Sequence, residues 1–339
     1  MRNLLSGALL SLGWIALLVV FAGCGDDANP APSDTTPDAS PAPDDATPDG
    51  SGAPDDATAA SDTDVTHDHD EIDEGPEPEL PPAPPSPSAG ACPELSAGTN
   101  TIMSNGIERR FELFLPQTVD APSLLFMWHG AGDNPGNFSR AFGAASIATN
   151  YDTIVVVPYA TGHFAFEWGF GPGDDASSDQ ALFDDALSCI VDQYDVDTTR
   201  VYTTGFSAGA LWSTSLLVHR SEYFAAVLLL SGGTGTIVRY ATPARRVPVL
   251  ATHGGPTDQV LIVKFDEITE TMADQLTDDG HTVVVCAHGL GHRVPQDTGI
   301  WGVSFLFEHA YSDAPLDEGS LRSARYPDYC ELWSDRANR

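Results

Sequence analysis

Arg200-Val201-Tyr202-Thr203-Thr204-Gly205-Phe206-Ser207-Ala208-Gly209-Ala210-Leu211-Trp212-Ser213-Thr214-Ser215-Leu216-Leu217 is the stretch on which the fold turns. Arg200 to Thr203 favours a pleated strand, and Ala210 to Leu217 reads as a helix. Between them, Gly205-Phe206-Ser207-Ala208-Gly209 leaves room only for an abrupt reversal. A serine in so tight a strand-to-helix turn is held in a strained backbone, and side chains on the flanking glycines would collide there. The turn lifts the Ser207 hydroxyl above the end of the strand, making it the candidate nucleophile. It also leaves the Ala208 N–H at a helix N-terminus, where developing negative charge is stabilised.

Around this stretch, apolar runs alternate with helical ones. Ser123 to Trp128, Thr153 to Val157, Ala225 to Leu230, Val247 to Thr252 and His281 to Cys286 read as buried strands. Arg110 to Leu115 alternates and suits an early antiparallel strand. Phe183, Leu187, Ile190 and Tyr194 recur at helical spacing, with Asp184, Asp185, Ser188 and Asp192 opposite them. The expected architecture is α/β, a mainly parallel sheet with helices on both faces.

A serine hydroxyl is a poor nucleophile without a base, so a histidine must reach it from later in the chain. His292 follows the strand ending at Cys286, within Gly289-Leu290-Gly291-His292-Arg293-Val294-Pro295, whose glycines permit a tight loop back over Ser207. His288, four residues earlier, is its rival. His281 precedes its strand, at the wrong sheet edge, and His253 ends a strand and reads as structural. The acid that orients the imidazole should leave the preceding strand, and Thr257-Asp258-Gln259 offers Asp258 there. Its rivals Asp266 and Glu267 read as members of an exposed helix. A second oxyanion donor is expected from the glycine-rich His129-Gly130-Ala131-Gly132, with the Ala131 amide as candidate and neighbouring amides as alternatives. Phe164, Phe166, Trp168 and Phe170 could wall a substrate site or belong to the core. The chemistry requires no metal and no organic cofactor.

Taken together, these stretches resemble the secreted α/β-hydrolase esterases that include feruloyl esterases, acetyl xylan esterases and polyhydroxybutyrate depolymerases. The likeness spans about residues 91–310. It is strongest across Asp195 to Ala210, where an Asp-x-x-Arg-Val-Tyr run leads into the Ser207 turn; Val247 to Leu250 with His253-Gly254 and the Gly-x-Gly-His-x-x-Pro loop around His292 are also similar. It implies the α/β-hydrolase fold, a carboxylic-ester hydrolase acting on acylated polysaccharides, phenolic esters or polyesters, and the triad Ser207, Asp258 and His292. Two departures stand out. Gly255-Pro256-Thr257 makes the acid segment one residue longer than the family's pattern, and Val294 stands where an aromatic is common.

Charge divides the chain. The formal net charge is −34, yet residues 25–90 hold 18 Asp and Glu with no Lys or Arg. Residues 91–339 hold 31 acids against 14 Lys and Arg, a net of −17. So acidic a balance argues against nucleic-acid binding, which needs a basic surface. Residues 25–90, dominated by Asp, Pro, Ala, Ser and Thr, bury too little apolar surface to fold and read as an extended tether. Within it, His67-Asp68-His69-Asp70-Glu71 is read as solvated linker rather than a metal site. Residues 1–24 carry Arg2, an apolar run from Leu9 to Phe21 and then Ala22-Gly23-Cys24, the pattern of a lipoprotein signal peptide with Cys24 as the lipidated residue. The expectation is an exported protein anchored by lipid at the outer membrane or cell surface, or secreted, acting as a monomer on a polymeric ester. Cys92, Cys189, Cys286 and Cys330 then remain for two disulfides in an oxidising compartment, with three pairings open. Cys330 would pin the C-terminal segment 311–339 to the esterase domain, 91–339.

Overall fold

The computed structural model describes residues 79–162, 166–170, 176–313 and 326–334. These lie within the compact unit Pro76–Arg339. The expected signal peptide, Cys24, most of the tether and Phe164 lie outside the described residues.

The chain opens with an antiparallel pair, β1 (Gly98–Ser104) and β2 (Ile107–Phe114). Asn105 and Gly106 join them with φ of 47° and 76°, the left-handed pair that an Asn-Gly hairpin turn supplies. β1 is not among the strands expected from sequence, although the Asn-Gly signal and its alternating burial both mark it.

The remaining large strands are β3 (Ser123–Trp128), β4 (Thr153–Pro158), β5 (Val201–Phe206), β6 (Ala226–Leu230), β7 (Val249–His253), β10 (Val283–Ala287) and β11 (Cys330–Leu332). With β1 and β2 they form one sheet in the order β1-β2-β4-β3-β5-β6-β7-β10-β11. From β4 to β10 every pairing is parallel; β2 and β11 flank this core antiparallel. β8 (Gln259–Val260) and β9 (Val263–Lys264) make a small hairpin of their own.

Among the described residues six helices cover the sheet: α1 (Pro135–Phe142), α2 (Ala144–Asn150), α3 (Ala176–Gln193), α4 (Ala208–Arg220), α5 (Phe265–Asp278) and α6 (Thr298–Phe307). Strand alternation assigns them to layers. Leu124, Phe126, Trp128, Val227, Leu229, Val249 and Ala251 share one apolar cluster with Phe183, Leu187, Trp212, Leu216 and Met272 of α3, α4 and α5. Leu125, Met127, Val155, Leu228, Leu230 and Leu250 point the other way, into a cluster with Phe138, Ile147, Trp301 and Phe305 of α1, α2 and α6. The period of two along each strand therefore builds both faces at once.

Two disulfides pair Cys92 with Cys189 and Cys286 with Cys330. The first ties the N-terminal segment to α3. The second crosses from β10 to β11 at directly facing positions, so residues 326–334 are held to the domain. Contact with the domain starts before Cys92, because the Ser88 amide and hydroxyl both donate to the Asp185 carboxylate, at 2.6 and 2.7 Å.

Candidate active site

Ser207, Asp258 and His292 all follow the carboxyl ends of parallel strands, the edge of the sheet where an open α/β fold collects its ligands. Ser207 stands between β5 and α4 with φ 57° and ψ −118°, a region that L-residues occupy only when their surroundings enforce it. The glycines explain why the turn is possible. A Cβ on Gly209 would overlap the Trp128 carbonyl of β3, and one on Gly205 would overlap the Gly209 backbone.

Ser207 Oγ lies 2.9 Å from His292 Nε2. His292 Nδ1 lies 2.6 Å from Asp258 Oδ1. Asp258 is fully buried, and its second oxygen accepts from the Gly254 amide at 2.7 Å and the Ser231 hydroxyl at 2.8 Å. Burial alone would raise its pKa, but the hydrogen bonds from His292, Gly254 and Ser231 outweigh it and hold the carboxyl below its ordinary value. Such a carboxylate fixes the imidazole with Nδ1 protonated and leaves Nε2 free to take the serine proton.

The extra residue in the acid segment is absorbed in a 3₁₀ turn, Gly255–Thr257, where the Asp258 amide donates to the Gly255 carbonyl at 2.8 Å. The loops bearing acid and base are locked together: the Gly291 amide donates to the Gly254 carbonyl at 3.0 Å, and a Cβ on Gly254 would overlap Gly291. His292 also lies against two aromatic rings, Phe206 at 4.9 Å and Phe265 at 4.7 Å between centroids, both near-parallel to it.

The rival residues take other places. His288 accepts from the Leu290 amide and stands edge-on to Tyr329, with burial pushing its pKa down. Asp266 and Glu267 lie in the first turn of α5. His281 bonds the backbone of Val247.

The predicted oxyanion loop runs beside the serine, since a Cβ on Gly130 would lie 3.5 Å from that of Ser207. The Gly132 amide is already engaged by Glu167 Oε2 at 3.1 Å, and the Asp133 amide by the Gly130 carbonyl. Among the described residues the Ala131 amide carries no hydrogen bond. Ala208 opens α4, where amides have no partner within the helix. Of the aromatic stretch, Trp168 and Phe170 are core residues and Phe166 packs against that core. Glu167, Ser231 and Phe265 take part in the site but were not foreseen. No motif spacing marks them, because they arrive through packing. Among the described residues no group of three or more His, Cys, Asp or Glu converges as metal ligands would.

The sheet order and the helix layers are those of the α/β-hydrolase fold. Residues 110–264 match the model of the family described as Esterase PHB depolymerase. Feruloyl esterase D of Neurospora crassa is 31% identical over 158 residues, covering 42% of this chain and 52% of that protein. The chain thus spans about half the length of this curated relative. Among solved structures, native pOPH superposes with a TM-score of 0.57 at 20% identity, covering 71% of this chain and 97% of that one. Native sOPH gives 0.52 at 17% identity, with the same coverages. At these identities the likeness is one of fold.

Proposed function

We propose that this protein is an exported serine carboxylic-ester hydrolase, held at the outer membrane or cell surface by lipid on Cys24. The observation that carries the reading is the unbroken relay from Ser207 Oγ through His292 to Asp258. In the first half-reaction His292 Nε2 takes the hydroxyl proton as Ser207 Oγ bonds to the ester carbonyl carbon. The carbonyl oxygen gains the negative charge and is met by the Ala131 and Ala208 amides. Collapse of this intermediate breaks the bond to the alcohol oxygen, which receives the proton from His292 and leaves. Water repeats the sequence on the acyl-enzyme, releasing the acid and restoring Ser207. Asp258 stays ionised throughout, stabilising the imidazolium.

The substrate class is an extracellular ester, an acetyl or feruloyl group on polysaccharide or a polyhydroxybutyrate-type polyester. The family's description and the name of the Neurospora relative support it.

Turnover of p-nitrophenyl acetate tests the chemistry. The parent should hydrolyse it and react with a fluorophosphonate at Ser207, and Ser207→Ala should do neither. Equal turnover by both would end the proposal. Methyl ferulate, acetylated xylan and hydroxybutyrate oligomers, compared at one enzyme concentration, rank the acyl groups.

A further inference from the structure

A charged brace stands behind the oxyanion loop, and the hydrolytic steps above make no use of it. Arg109 of β2 and Asp179 of α3 form a fully buried ion pair at 2.5 Å. A buried pair of this kind contributes little net stability over an apolar one, which leaves room for a positioning role. Asp179 uses its other oxygen to accept the Gly169 amide at 2.7 Å. That bond anchors a short segment, Phe166 to Phe170, which reaches the loop in two places. Trp168, fully buried against Trp128 and the His129 ring, donates its indole N–H to the His129 carbonyl at 3.0 Å. Glu167 accepts the Gly132 amide at 3.1 Å, with His129 Nδ1 4.0 Å from the same oxygen. The backbone at Glu167 has φ 68°, a left-handed conformation that a glutamate adopts only under constraint.

The two bonds fall on either side of Gly130 and Ala131. One holds the carbonyl of residue 129 and the other holds the amide of residue 132. What lies between is the stretch that faces Ser207. Neighbouring amides differ in direction along a turn, so a small rotation would present Gly132 in place of Ala131. With the Gly132 amide engaged, Ala131 is the donor left to face the reacting oxygen.

We infer that Glu167 is a positioning residue. Its carboxylate, mounted on the Arg109–Asp179 brace, draws the Gly132 amide away from the site and so aims the Ala131 amide at the oxyanion. It touches neither substrate nor the reacting atoms. The inference rests on the ester-hydrolase reading, and it predicts a specific pattern. A donor that matters only when the oxygen becomes charged affects kcat and leaves ground-state binding alone.

The experiment compares Glu167→Ala, Glu167→Gln and Ser207→Ala with the parent on p-nitrophenyl acetate. It adds the thermal midpoint and amide hydrogen exchange at Gly132. Glu167→Ala should lower kcat roughly tenfold to hundredfold, a fraction of what outright loss of an oxyanion donor costs. KM should stay within about twofold by the same differential-binding argument. Glu167→Gln keeps an oxygen acceptor and should recover most of the rate. Exchange at Gly132 should be slow in the parent and in Glu167→Gln, and faster in Glu167→Ala, whatever the turnover. Parent-like kcat in Glu167→Ala, with Ser207→Ala inactive, would overturn the inference and leave the hydrolase reading intact. So would unchanged exchange at Gly132, a loss carried by KM, or an equal loss in Glu167→Gln. A parent without ester turnover would overturn the hydrolase reading instead, and exchange at Gly132 would still decide whether Glu167 holds the loop.

Discussion

At the scale of single residues, Asp258 carries the heaviest demands. It is buried, charged and satisfied by three donors, Ser231, Gly254 and His292. An amide of the same shape can accept at its oxygen but presents N–H groups where the carboxylate had a second acceptor. Asp258→Asn should therefore cost about 1–3 kcal/mol at pH 7, the usual penalty for a buried group left facing the wrong partner. The pH dependence has a definite sign. The folded-state pKa is depressed, so the stabilisation is complete above the unfolded carboxyl's pKa and disappears as pH falls through the folded value. Chemical denaturation at pH 7 should separate parent from variant, and the gap should narrow steadily below about pH 4. A gap that stays constant down to pH 2 would show that ionisation is not its source. Ser207 and Asp258 were legible in the sequence because strand ends and glycines locate them. The glycines around His292 favoured it over His288, although both follow β10, and the structure brings His292 beside Ser207 and Asp258. The contact between Gly254 and Gly291 that holds the two loops together was not legible, because no local pattern encodes a contact between loops.

The elements divide by how strongly their sequences announce them. The parallel strands β3, β4, β5, β6, β7 and β10 are buried almost throughout and read as largely apolar runs. β11, three residues long, has no periodicity to read and exists because it pairs with β10 and is bonded to it through Cys286 and Cys330. That bridge enters the chain six residues before His292, whereas Cys92–Cys189 joins the N-terminal segment to α3, which holds no triad residue. Removing either should destabilise the domain by up to about 3–5 kcal/mol on the chain-entropy estimate. A loss of that size lowers the thermal midpoint by roughly 10 °C in a domain of this length. Serine at both 286 and 330 should in addition reduce kcat well below the transition, because the loop carrying the base loses its anchor. Serine at both 92 and 189 should leave kcat near that of the parent. Thermal melts paired with assays at 20 °C separate the two effects, and equal activity losses in both double variants would contradict the assignment.

Across the whole molecule, charge is divided unevenly along the chain. Residues 25–90 hold 18 Asp and Glu without a single Lys or Arg, a composition that suits the proposed role of a spacer behind the lipid anchor. Cys24→Ala should move the activity from the membrane fraction to the soluble fraction of the producing cell with unchanged turnover per molecule. Activity that stays with the membranes would refute lipidation at that position. Inside the domain, one small feature shapes what can change. The hairpin of β8 and β9 starts after Asp258 and ends at Phe265, the first residue of α5, where the Phe265 amide donates to the Asp258 carbonyl at 2.9 Å. Acid and aromatic support are thereby cinched at the neck, while Leu261 and Ile262 at the tip stand in solvent. Six residues hang from a closed clasp, so the tip can be lengthened, shortened or recoded without disturbing what the clasp holds. Variation there offers a route by which new preferences arise on an unaltered engine.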